Sequence, residues 1–150
     1  MRIRPAGAGD IKAMHALRSR VAENALSDPL RVTEESYRPY LGKDGAWVAE
    51  TEQGLAGFAV LDLANASVWA LFVAPEAQGT GVGRALHGRL IQAAAGHGLD
   101  RLSLATAPRT RAERFYSEAG WTRTGLTKDG EVSFERTIAG QPAIREGEQG

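Results

Sequence analysis

The chain has 150 residues, 43% hydrophobic and 24% charged, ordinary proportions for one globular domain that buries about two-thirds of its unfolded surface. Lys+Arg and Asp+Glu number 18 each, so the formal net charge is zero, which argues against a protein built mainly to hold nucleic acid. There is no cysteine, which excludes disulfides, thiolate metal sites and a covalent cysteine intermediate. No uncharged apolar run could span a bilayer, and Met1-Arg2-Ile3-Arg4-Pro5 lacks the apolar core of a signal peptide. The expectation is a soluble, cytoplasmic protein with no membrane partner.

Residues 1–4 read as a short strand stopped by Pro5, which cannot donate to a central ladder. Asp10 is placed as the N-cap of a helix. Ile11, Met14, Leu17, Val21 and Ala25 recur at helical spacing, so that helix is expected to run to about Ala25. Residues 26–30 form a loop. A second helix is expected from Thr33, with Glu34 and Glu35 at its positive end and Tyr37, Tyr40 and Leu41 on its apolar side. Three strands follow, at residues 46–50, 55–63 and 67–73. Their connections are too short for crossovers, so they form an antiparallel meander.

After the third of these strands come a short turn (residues 74–77), a glycine-rich loop (residues 78–84) and a helix beginning near Val82. Leu86, Leu90, Ile91 and Ala94 face a core, and Gly96-His97-Gly98 ends the helix. Leu102 and Leu104 mark a strand that can lie parallel to the one before the helix. Thr110-Arg111-Ala112-Glu113 matches a capping box, with Thr110 as N-cap. That helix buries Ala112, Phe115, Tyr116 and Ala119 and ends at Gly120. Residues 121–127 and 131–138 flank Lys128-Asp129-Gly130, a hairpin signal. Residues 1–138 make one domain, and 139–150 a flexible polar tail. The order β-α-α-β-β-β-α-β-α-β-β describes a mixed α/β sheet with helices packed on it.

Strand, glycine loop and helix together make an anion site, because bare N–H groups and the helix dipole point outward at the helix start. A P-loop requires Lys-Ser/Thr after the last glycine, where this chain has Arg84-Ala85. The dinucleotide fingerprint requires its third glycine where Arg84 stands, and expects a parallel sheet rather than a meander before the loop.

Gln78-Gly79-Thr80-Gly81-Val82-Gly83 is similar to the Gln/Arg-x-x-Gly-x-Gly/Ala signature of the GNAT superfamily of N-acetyltransferases. Later, Ala112-Glu113-Arg114-Phe115-Tyr116-Ser117-Glu118-Ala119-Gly120-Trp121 resembles that family's Ala-x-x-Phe-Tyr…Gly-Phe segment. The resemblance implies a central, mostly antiparallel sheet of about seven strands, splayed in the middle at a bulge and flanked by about four helices. It implies acetyl-CoA as cosubstrate, with no metal. Backbone groups near Leu71, Phe72 and Val73 would hold the acyl-pantetheine arm, and those from Gln78, Gly79, Thr80, Gly81, Val82, Gly83 and Arg84 the pyrophosphate. Ala112 belongs to the second matching segment. Arg109 stands where many relatives have an asparagine that binds pantetheine. An arginine cannot accept a hydrogen bond, which moves that contact to Thr106 or Thr110.

Acetyl transfer requires a deprotonated amine, a polarised thioester carbonyl and a protonated thiolate leaving group. Tyr116 matches the tyrosine that serves as acid in several family members. Its structural alternative is packing of the Phe115-Tyr116 pair on the sheet. Some members carry a glutamate base on the strand before the loop, where this chain has Ser67. Glu50 and Asp62, on neighbouring strands, are the remaining candidates, Asp62 flanked by Leu61 and Leu63; the alternative reading of each is a strand-end carboxylate facing solvent. Glu23, Asn24 and Asp28 fall in the region that relatives use to shape the acceptor site. His15, His87 and His97 show no metal-ligand spacing and read as solvated or helix-terminal imidazoles. Trp47 and Trp69 read as core. The expected acceptor is a small-molecule or protein amine, and the resemblance is compatible with a homodimer. A CoA-binding sensor without turnover and a nucleotide-binding module are the competing readings.

Overall fold

The computed structural model describes residues 1–21, 32–42 and 44–138. The first helix, expected to run to about Ala25, ends at Arg20, with Val21 already outside helical geometry; the loop at 26–30, Glu23, Asn24, Asp28 and the tail 139–150 lie outside the described residues.

Seven strands form one sheet in the order β1-β2-β3-β4-β5-β7-β6. They are β1 (Arg2–Pro5), β2 (Ala46–Thr51), β3 (Gly54–Asp62), β4 (Ser67–Val73), β5 (Arg101–Thr106), β6 (Thr122–Leu126) and β7 (Val132–Thr137). Every neighbouring pair is antiparallel except β4 and β5, which run parallel because α2 (Val82–Gly96) crosses between them. The other helices are α1 (Ile11–Arg20), α3 (Arg111–Glu118) and a 3-10 helix at Glu34–Tyr40, with single 3-10 turns at Ala8–Asp10 and Pro75–Ala77. The expected mixed, mostly antiparallel sheet flanked by about four helices is the observed fold.

Two cores sandwich the sheet. On one face Leu86, Leu90 and Ala94 of α2 and Tyr116 of α3 pack with Ala59, Leu61, Leu102 and Phe134. On the other, Ile11, Met14 and Leu17 of α1 and Tyr37 pack with Val48, Phe58, Val60 and Ala70. Residues 56–61 of β3 are buried one after another because helices cover both sides of that strand.

Two further local expectations are corrected. Asp10 makes no cap bond to α1. Its carboxylate accepts from Gly7 N at 2.8 Å and pairs with Arg4, closing a 3-10 turn at Ala8–Asp10. The segment after Thr33 is 3-10 rather than α, and contains Pro39. Proline lacks the N–H that an α ladder requires, and a short 3-10 stretch tolerates that loss.

Two features of β4 create the site. First, its pairing with β3 slips. Val60 faces Ala70 while Leu61 faces Val68, so Trp69 is an extra residue, a β-bulge. Trp69 and Ala70 both turn toward the α1 face, while Val68, Leu71 and Val73 turn toward α2. Second, β4 pairs with β5 in register only at Ser67 and Ser103, with Ser103 N donating to Ala66 O at 3.0 Å. Beyond that pair the two strands part.

Candidate functional site

The opening between β4 and β5 is a cavity of about 880 Å³. Residues 68–73 of β4 form one wall and residues 104–107, at the end of β5, the other. Because β5 has left, the β4 edge past Val68 carries backbone groups without a ladder partner on that side. Leu71, Phe72 and Val73 therefore lie where an extended ligand would complete the sheet.

The glycine loop closes one end. The first backbone bond of α2 runs from Ala85 N to Gly81 O at 3.0 Å. The N–H groups of Val82, Gly83 and Arg84 precede it and have no intrahelical acceptor. Gly81, the N-cap, is left-handed at φ 95°, and Gly79 has φ 81°. Nothing lies within 4 Å of where a Cβ would stand at either glycine, so an anion can approach the bare backbone. Gln78 Nε2 donates to Val73 O at 3.4 Å, tying the loop to the end of β4.

Gln78, Gly79, Gly81, Gly83, Arg84 and Ala112 line the cavity. Thr80 and Val82 do not present side chains to it. The Thr80 hydroxyl donates to Ala77 O, and Val82 is buried in the α2 core. Any contribution from these two positions is made by their main chain.

Tyr116 borders the cavity from α3 and is 5% exposed. Its ring packs edge-on against Phe115 and Trp121 at 5.3 and 5.5 Å, and against Phe134 at 6.2 Å. The hydroxyl has no hydrogen-bond partner among the described residues. Burial pushes the phenol well above its ordinary pKa, so it stays a proton donor. The α3 start is built as a modified capping box. Thr110 Oγ1 accepts from Glu113 N at 3.2 Å, while the Glu113 carboxylate reaches Arg109 N, one residue before the cap. Thr106 and Thr110 line the cavity, and Arg109, left-handed at φ 60°, does not.

The two carboxylates proposed as base stand elsewhere. Glu50 is half-buried near the end of β2, 3.0 Å from Arg4. That guanidinium holds its carboxyl below the usual range, opposite to what a base requires. Asp62 accepts from Asn65 Nδ2 at 2.8 Å and Asn65 N at 3.3 Å, closing the β3–β4 turn. Neither lines the cavity. Ser67 sits at the closed end of the splay. Among the described residues, the acidic side chains bordering the cavity are Glu118, exposed, and Glu131, half-buried.

Three side chains differ from their sequence reading. Trp69 is not sealed in the core but lines the cavity, because the bulge rotates it onto the α1 side. His87 is 8% exposed rather than solvated. Arg18 of α1, not singled out by its sequence, reaches the same cavity and lies over the rings of Trp69 and Phe72, at 5.3 and 4.8 Å. Its Nη1 is buried, with no hydrogen-bond partner among the described residues. Beside it, burial raises the Tyr37 phenol's pKa against the pull of the Arg18 charge, and His15 Nδ1 shares a 3.0 Å hydrogen bond with that hydroxyl. Among the described residues no three His, Asp or Glu side chains converge to hold a metal ion. No described helix is long and apolar enough to cross a membrane.

The sheet is splayed between its two parallel strands, and the cavity at that opening reaches a bare helix start and a buried tyrosine. The sequence pattern of the Acetyltransferase (GNAT) family matches residues 12–121, and the chain belongs to that family. No curated protein matches in sequence. Among solved structures it resembles N-acetylglutamate synthase from Neisseria gonorrhoeae, complexed with coenzyme A and N-acetyl-glutamate, at 24% identity and TM-score 0.74. That likeness covers 92% of this chain, which spans only 35% of the synthase. The ribosomal-protein-S18-alanine N-acetyltransferase of Escherichia coli is 20% identical with TM-score 0.72, covering 97% of this chain and 98% of that one. The Mycobacterium tuberculosis protein Rv2747, in complex with CoA, is 18% identical with TM-score 0.74, covering 93% and 100%.

Proposed function

We propose that the chain is an acyl-CoA-dependent N-acetyltransferase that moves acetyl from acetyl-CoA to a primary amine within a ternary complex. The observation that carries this reading is the parting of β4 from β5 beyond Ser67 and Ser103, over a cavity that also reaches the start of α2. Family membership and the fold shared with proteins solved with CoA support it.

In this reading the β4 edge at Leu71, Phe72 and Val73 orients the pantetheine arm as an added strand, by main-chain hydrogen bonds. The N–H groups at the start of α2 hold the pyrophosphate, and Arg84 adds charge at the mouth. The acceptor nitrogen forms a bond to the thioester carbonyl carbon as the C–S bond breaks. The departing electron pair goes to sulfur, Tyr116 gives it a proton, and the phenolate takes a proton back from water once the products leave. The proton released by the amine leaves through water toward Glu131, which replaces Glu50 and Asp62 as the candidate relay.

The absence of Glu50 and Asp62 from the cavity favours one other reading, a domain that binds CoA without turnover. Release of free CoA thiol from acetyl-CoA over a panel of amines separates the two. Amine-dependent thiol release together with an acetylated product supports the enzyme. Tight CoA binding with no release on any amine supports the sensor.

A further inference from the structure

Arg18 is a charged group of the cavity to which this reading gives no work. Its guanidinium lies over Trp69 and Phe72, at 5.3 and 4.8 Å from the ring centroids. Its Nη1 is buried, and no ion pair among the described residues neutralises it. Its neighbour in sequence space, Arg20, by contrast pairs with Glu76. A buried guanidinium nitrogen without an acceptor is costly to keep. The two aromatic faces offset part of that cost but accept no hydrogen bond in the plane of the fork.

The position is specific. Arg18 belongs to α1 and stands on the face of β4 opposite α2, because the bulge at Trp69 turns Trp69 and Ala70 to that side. The pyrophosphate cradle belongs to the α2 side, where Arg84 and Arg114 also border the cavity. Arg18 therefore faces the part of the cavity left for the acceptor. Phe72, under its guanidinium, is one of the residues whose backbone would align the thioester arm.

We infer that Arg18 binds the carboxylate of the acceptor, and that the acceptor is a small amine bearing a carboxylate, an amino acid. This rests on the acetyltransfer reading above. The planar fork matches a carboxylate through two parallel N–H···O bonds, which a neutral amine or carboxamide cannot receive equally. The aromatic platform fixes the plane of the fork.

The test uses the full chain with acetyl-CoA and three series of acceptors. These are glycine, alanine and glutamate, their α-carboxamides, and simple alkylamines without a carboxyl group. Thiol release should favour the free acids by at least roughly 50-fold in kcat/KM. Arg18→Gln should bring that ratio near one by raising KM for the acids, with KM for acetyl-CoA unchanged. Arg18→Lys, which keeps the charge but not the fork, should retain part of the preference, and it serves as the test variant if Arg18→Gln does not fold. Equal turnover of acids and carboxamides, or a preference unmoved by either variant, overturns the inference while leaving the acetyltransfer reading intact. Should no amine be turned over, that reading fails, and calorimetric titration of the CoA-loaded protein with glycine, alanine and glutamate decides the inference alone. Carboxylate-dependent binding lost in the variant supports it, and no binding overturns it.

Discussion

Trp121 Nε1 donates to His87 Nε2 at 2.9 Å in the core where α2 meets the end of α3. The bond requires His87 to be neutral, with its proton on Nδ1. Burial, aided by the charge of Arg136, pushes the imidazole down to about 4 from 6.5. Between those values the unfolded chain binds the proton and the folded chain does not, so stability rises with pH across that window and is lost as pH falls through it. The loss from pH 7 to pH 5 is on the order of 2 kcal/mol. Urea midpoints at the two pH values should differ accordingly, and His87→Gln, whose amide oxygen still accepts from Trp121, should lose most of that difference. A wild-type midpoint flat between pH 5 and 7 would refute the buried neutral state.

Tyr116→Phe separates packing from proton donation. The ring contacts with Phe115, Trp121 and Phe134 survive the change, and no protein hydrogen bond is lost. The melting temperature should stay within about 2 °C, since a change of 1 kcal/mol moves a domain of this size by only about 2–4 °C. Turnover should drop roughly 100-fold, the range expected for losing a general acid. KM for acetyl-CoA should stay within about twofold. Unchanged turnover across pH would remove Tyr116 from the mechanism.

The glycine loop and the Phe115-Tyr116 helix are legible in the sequence because their signals are local. Their spacing gives the two segments, and the family resemblance they carry implies the splay at which both stand. The role of Arg18 is not local. It depends on the one-residue slip at Trp69, which reverses which side of β4 each later residue faces, and on where α1 docks. Nothing in the alternation of residues 67–73 marks that slip. Glu50 and Asp62 lie on the expected strands, but whether they reach the cavity depends on Arg4 and Asn65, partners from other segments or turns. His87 was legible in part. It lies three residues before Leu90 and seven before Ala94, on the buried face of α2, although its bond to Trp121 is long-range.

If the cradle is made of main chain, side-chain changes in the glycine loop should sort by backbone geometry. Thr80→Ala removes a hydroxyl whose partner is Ala77 O, and CoA affinity measured by calorimetry should stay within about twofold. Gly81→Ala is different. A residue with a Cβ resists φ 95°, at a cost of about 1–2 kcal/mol. Relaxing that angle turns the first N–H groups of α2 away from the anion. CoA should bind about tenfold more weakly, and equal losses in the two variants would argue that the side chains carry the contact.

Gly57 tests the support beneath the cradle. A Cβ there would stand 2.8 Å from Phe72 O, 3.0 Å from Leu86 Cδ1 and 3.1 Å from Val82 Cγ1. The missing side chain lets the first turns of α2 rest on β3, which brings the α2 start level with the end of β4. Gly57→Ala forces backbone or helix to move, an overpacking cost of about 1–3 kcal/mol. For a chain of this size that lowers the melting temperature by roughly 2–12 °C. Because the displaced turns carry the anion-facing N–H groups, CoA affinity should fall along with stability. Gly88→Ala, in the same helix with nothing within 4 Å of its would-be Cβ, should leave CoA affinity unchanged and raise helix stability slightly. A Gly57→Ala protein as stable and as tight for CoA as the wild type would show that α2 does not rest on this contact.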